Sequence, residues 1–121
     1  QGRELSTMNV YDKAHEMARA LKQSQQYLDY SAAREKLKSD AKAWSMLGDF
    51  RSKQAELQEK ILAGEQPPEN KIEEINRLFE IISQSGPVME FMQSELALIR
   101  VVEDIQQILI KAVDLSMENE E

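Results

Sequence analysis

His15 is the single histidine of the chain and there is no cysteine, so serine–histidine or cysteine–histidine catalysis would have to be organised around that one imidazole. Nothing converges on it. Its neighbours Ala14, Glu16, Ala18 and Arg19 read as a helix surface, and a partly exposed structural histidine accounts for the pattern without a reaction. Carboxylates are the other abundant chemistry: Glu73-Glu74, Glu103-Asp104 and the Glu56/Glu59 pair carry oxygen donors of the kind metals use. A di-iron bundle, however, needs Glu-x-x-His pairs on two inward-facing helices, and the chain has none. Glu56 and Lys60, four apart, read instead as a solvated pair on one helix face. Without cysteine, disulfides, zinc fingers and thiolate-held iron–sulfur clusters are excluded for this chain alone, which suits a reducing, cytoplasmic setting. Gly2, Gly48, Gly64 and Gly86 are isolated, so no glycine-rich phosphate loop is present. No catalytic, cofactor-binding or metal-binding residue is expected, and the chain reads as a non-enzyme.

The nearest approach to a binding constellation is a strip of cations, Arg34, Lys36, Lys38, Lys42, Arg51 and Lys53, near Tyr27, Tyr30 and Trp44. RNA-binding surfaces combine cations for phosphates with rings for stacking. Glu35, Asp40 and Asp49 dilute this strip, and the whole chain carries 22 acidic against 15 basic residues for a net charge of −7. At a pI near 4.8, bulk binding to nucleic acid is disfavoured, and an RNA-associated module using residues 34–53 stands as the alternative functional reading. The charge is uneven: residues 1–60 hold 11 basic and 9 acidic side chains, residues 61–121 hold 4 and 13. Such polarity either keeps the surface solvated or lets opposite halves attract one another in an oligomer.

The elements that would position these groups are helices. Val10, Ala14, Met17, Ala18 and Leu21 fall on one stripe of a helix beginning after Asn9, its expected cap. Ser24 caps a second segment reaching about Ser39, and whether the two are one bent helix is left open by the pattern. Asp40 caps a third helix to about Ala63, stopped by Gly64 and Pro67-Pro68. Its positions Leu47, Phe50, Gln54, Leu57 and Ile61 repeat every three and four residues as a coiled-coil seam does, with Gln54 either a register-fixing buried amide or an edge residue meeting water. A fourth helix follows from about Asn70 to Gln84, and a fifth starts at Ser85-Gly86-Pro87 and runs to about Met117.

The fifth helix decides the expected architecture. Val88, Phe91, Leu98, Val102, Ile105, Leu109 and Ala112 follow its seam, flanked on one side by Met92, Ile99 and Val113 and on the other by Val101, Ile108 and Leu115. So wide a stripe needs neighbours on both flanks. The expected fold is all-α, an elongated helical bundle with long antiparallel helices completed by dimerisation, with Phe91, Leu98, Val102, Ile105 and Leu109 as the oligomer seam. The longest apolar run, Leu96 to Ile99, is four residues against the ~20 a membrane-spanning helix needs, so no membrane partner is expected. Residues 1–7 read as a tag remnant or disordered end, 8–117 as one helical domain, and 118–121 as an acidic disordered tail.

Residues 8–58, MNVYDKAHEMARALKQSQQYLDYSAAREKLKSDAKAWSMLGDFRSKQAELQ, resemble the opening of the YheA branch of the bacterial YlbF/YmcA family. The resemblance continues through Pro67-Pro68 and Gly86-Pro87-Val88 to Met117, and rests most on Asn9-Val10-Tyr11-Asp12-Lys13-Ala14, the Tyr27 to Tyr30 spacing and Asp49-Phe50-Arg51. It implies an all-helical, oligomeric, cytoplasmic bacterial protein. It also implies a regulatory subunit with a protein partner, linked in related branches to the endoribonuclease RNase Y and to competence, sporulation and biofilm control. Members of that complex hold iron–sulfur clusters through cysteines, which this chain lacks.

Overall fold

The computed structural model describes residues 2–115, with side chains described from Asn9 onward. The acidic segment Glu118–Glu121 lies outside the described residues. Five helices account for the described chain, with no strand among them: α1 (Gly2–Lys22), α2 (Gln25–Lys38), α3 (Ala41–Leu62), α4 (Glu69–Ile82) and α5 (Gly86–Val113).

Local chemistry explains most of the boundaries. Ser24 separates α1 from α2: its Oγ donates to the Leu21 carbonyl at 2.6 Å and accepts the Tyr27 N–H at 3.2 Å, ending one helix and capping the next. Asp40 caps α3, its Oδ1 accepting the Ala43 N–H at 3.1 Å. Ser85 does the same for α5, where its Oγ accepts the Val88 N–H at 3.3 Å and Pro87 occupies the first turn. Two expected boundaries are corrected. Asn9 lies inside α1, because the good helix formers Arg3, Glu4, Leu5 and Met8 carry the helix back past it. At the other end α5 stops at Val113, short of Met117, since Asp114 turns left-handed at φ 55° and the Leu115 N–H returns to the Ile110 carbonyl at 3.2 Å.

The turn after α3 shows why glycine stands there. The Glu65 N–H bonds the Lys60 carbonyl at 2.9 Å and the Gly64 N–H bonds that of Ile61 at 3.0 Å, the paired closure of a helix end whose C′ residue is left-handed. Gly64 supplies that conformation at φ 81°, and a Cβ added there would meet nothing within 4 Å. Gly64→Ala is therefore expected to lower stability by about 1 kcal/mol through backbone strain alone. Urea unfolding of the two proteins would show it; an unchanged midpoint would mean that the turn relaxes.

Packing divides the chain into two compact units. The first, Ala32–Gln93, holds α3 and α4 with the end of α2 and the start of α5. In it α3 and α4 form an antiparallel hairpin, seen in the pairing of Lys53 with Glu74 at 3.8 Å and of the Phe50 and Phe79 rings at 5.7 Å between centroids. Ala33, Leu37, Leu47, Phe50, Ile75, Ile82, Val88 and Phe91 are buried here, spaced three, four or seven apart within their helices. The second unit joins the chain up to Ser31 with the chain from Ser94 onward, so it contains α1, the start of α2 and the longer part of α5. Among its described residues none is buried.

Candidate functional site

An open groove of about 250 Å³ runs between α1 and α5 in this second unit. Ala14, Met17, Ala18 and Leu21 form its α1 wall, and Val102, Ile105, Gln106 and Leu109 its α5 wall. Each set comes from one face of its helix by the three-and-four spacing, and Ala14 and Ala18 bring the α1 backbone close to whatever lies in the groove. Gln106 is the sole polar side chain of that lining. Elsewhere on the two helices Val10 and Tyr11 are each 65% exposed, Ile108 66% and Val113 62%. Large exposed apolar surfaces mark places where another molecule docks.

On α1, His15, Arg19 and Lys22 are exposed, and on α5 so is Glu103. Arg19, Lys22 and Glu103 make no ion pair with any described residue, whereas Lys13 is held by Glu16 at 3.5 Å.

Of the expected seam residues, Leu98, Val102, Ile105 and Leu109 are placed in this unit and remain partly or fully exposed. Phe91 is not, and its assignment to an intermolecular seam is corrected. It is 2% exposed within Ala32–Gln93, meeting the Trp44 ring edge-on at 6.0 Å, with the Arg51 guanidinium 5.5 Å above it. Heptad spacing identifies an apolar face but does not say whether the same chain covers it.

The cationic strip falls wholly in Ala32–Gln93, where most of its charges have partners. Arg34 lies 5.7 Å over the Trp44 ring and 3.7 Å from Glu35. Lys36 reaches Glu90 at 3.4 Å, and Lys53 is shared by Asp49 at 3.5 Å and Glu74 at 3.8 Å. Arg51 stacks on Phe91, and Lys38 and Lys42 are exposed. A phosphate arriving at this strip would compete with those partners for four of its six cations.

Sequence reasoning passed over a second open surface in the same unit, a notch of about 400 Å³ floored by Phe50, Phe79 and Met92 and rimmed by Arg51, Gln54 and Asn76. Gln54, the residue that interrupts the α3 heptads, is exposed there, so the interruption sits at an edge that meets water. The available signal was Phe79, an aromatic on the rim of its helix stripe that remains 41% exposed. His15 is exposed on α1, and among the described residues no three His, Asp or Glu side chains gather as a metal ion would require. No described helix is long and apolar enough to cross a membrane.

Residues 10–114 match the family model described as control of competence regulator ComK, YlbF/YmcA. A UPF0342 protein of Caldicellulosiruptor saccharolyticus is 39% identical over 110 residues, covering 91% of this chain and 92% of that one. A UPF0342 protein of Symbiobacterium thermophilum is 36% identical over 108 residues, covering 89% and 96%. Among solved structures, a protein described as of unknown function (DUF964) from Bacillus stearothermophilus shares the fold at a TM-score of 0.76 and 22% identity, over 88% of this chain and 93% of that one.

Proposed function

Because the chain belongs to the YlbF/YmcA family, we propose that it is a non-enzymatic interaction protein that works by docking other polypeptide on its α1/α5 face. One observation carries this reading: the unit containing that face has no buried side chain of its own among the described residues, while all eight buried apolar residues lie in Ala32–Gln93. A helix pair left so uncovered gains its hydrophobic stabilisation from whatever closes over it.

The finer version makes the chain a cytoplasmic regulatory subunit of the kind that adjusts RNase Y and so competence, sporulation or biofilm formation. Support for it comes from the competence-control description of the family. Lacking cysteine, this chain would act without an iron–sulfur cluster held by its own thiolates.

A photo-crosslinking residue substituted for Leu109, 53% exposed beside the groove, tests the docking reading in lysate of the parent organism. The expected result is a crosslinked polypeptide that disappears when Ile105→Asp is added, because a carboxylate there would be buried unpaired beneath the partner. Irradiation that joins Leu109 to no polypeptide would remove the proposal.

A further inference from the structure

We infer that a small pocket in the α3/α4 hairpin binds a free amino acid with an aliphatic side chain, at a site separate from the α1/α5 face. The pocket lies wholly within Ala32–Gln93 and encloses about 120 Å³ beside the Pro67-Pro68 turn. Part of its lining is apolar: Ile75 is buried, Leu57 and Pro67 are half-buried, and Pro68 completes the set. An aliphatic group seated on these side chains is withdrawn from water. A cavity of about 150 Å³ is large enough for benzene, so the space here suits a branched side chain of three or four carbons with its polar head at the mouth.

The charged part of the lining says what that head must carry. Glu74 lies 3.8 Å from Lys53 and 3.8 Å from Lys71, and Lys53 also reaches Asp49 at 3.5 Å, so these groups satisfy one another. Glu56 and Lys60 are left. Their four-residue spacing would let them pair, yet neither makes an ion pair with any described residue. Unsatisfied charges of both signs beside an apolar lining match one small molecule that carries the opposite two, an ammonium for Glu56 and a carboxylate for Lys60. At 1.5 Å per residue the two positions stand about 6 Å apart along α3, which leaves room for an ammonium and a carboxylate attached to the same carbon.

Other ligand chemistries fit less of the lining. A simple carboxylic acid would bring its charge toward Glu56 with nothing to answer it, and an amine would do the same toward Lys60. A phosphate would meet two carboxylates, Glu56 and Glu74, and leave the apolar part uncovered. An amino acid of the leucine, isoleucine or valine type uses the apolar lining and both free charges at once. Glu56 and Lys60 are exposed, so their contacts select the ligand more than they tighten it.

The test titrates L-leucine into the full chain labelled with nitrogen-15 and follows the backbone amide resonances. Those of Leu57, Lys60 and Lys71 are expected to shift together with a Kd on the order of 1 mM, as suits so small a ligand on a partly open site. Glycine, 4-methylpentanoate and 3-methylbutylamine lack the side chain, the ammonium and the carboxylate respectively, and each should bind roughly threefold more weakly or worse. Glu56→Gln and Lys60→Gln neutralise one exposed charge apiece, with circular dichroism confirming that the helices persist, and each is expected to weaken leucine by a similar factor. No shift of these amides at about 20 mM leucine, well above that Kd, overturns the inference. So does leucine binding that both neutral variants leave unchanged, and so does 4-methylpentanoate binding as tightly as leucine, which would make the pocket a plain anion site. Docking on α1/α5 is decided separately, through Leu109.

Discussion

Replacing Phe91 with alanine is expected to lower the unfolding free energy by about 3–5 kcal/mol, the range for emptying an aromatic site in a packed core. The ring is 2% exposed and joins α3 to α5 in the Ala32–Gln93 unit, with Trp44 and Arg51 of α3 against it and Val88, also buried, one turn earlier on α5. Truncation removes the ring's own burial, and it also leaves the Trp44 edge and the Arg51 guanidinium without the surface they rest on. Trp44 is the only tryptophan, so its fluorescence reports the transition directly in a urea titration. A loss below about 1 kcal/mol would place Phe91 outside the core. Protein concentration must be held fixed between samples, since any self-association would add to apparent stability by mass action. A Phe91 effect that vanished on dilution would return that residue to an intermolecular seam.

Leu37→Ala is the second large effect, expected at about 2–5 kcal/mol. Leu37 is 0% exposed, one turn after the buried Ala33 on an α2 whose remaining surface is dense with charge. Its natural control is Leu28→Ala on the same helix: the same atoms are removed, but from a side chain 49% exposed, and the loss should stay below about 1 kcal/mol. Thermal melts of both variants decide the matter, and equal shifts would contradict the burial that separates the two leucines.

Most of the fold was legible because its punctuation is chemical and local. Ser24, Asp40, Ser85 and Gly64 each satisfy a helix end with atoms of the same few residues; the sequence marked Ser24 and Asp40 as caps and Gly64 as a stop, and Ser85 only as part of a break. The misplaced ends have different causes. At Asn9 a residue able to cap is overridden by good helix formers on its N-terminal side, and at Asp114 a left-handed residue other than glycine gives no visible stop signal. The candidate site was half legible. Periodicity found the stripe of α1 and that of α5, yet it could not tell that the first half of the α5 stripe, at Val88 and Phe91, is covered by the chain itself while the second half, from Leu98, is left open. That distinction is made by α3, which is distant in sequence and contributes Trp44 and Arg51. The cationic strip fails to stand alone for a similar reason: Glu90, which holds Lys36, is 54 residues away.

The uneven distribution of burial bears on how long a copy of this protein survives in a cell. The unit that holds α1 has no buried side chain among its described residues, so opening that helix requires far less than unfolding Ala32–Gln93. Proteases act on such opened segments in proportion to their population. On the proposed docking, a polypeptide seated on the α1/α5 face would close the segment and withdraw it from attack. Uncovered copies would then be cleared while covered ones persist, and the amount of the protein would follow the amount of whatever covers α1.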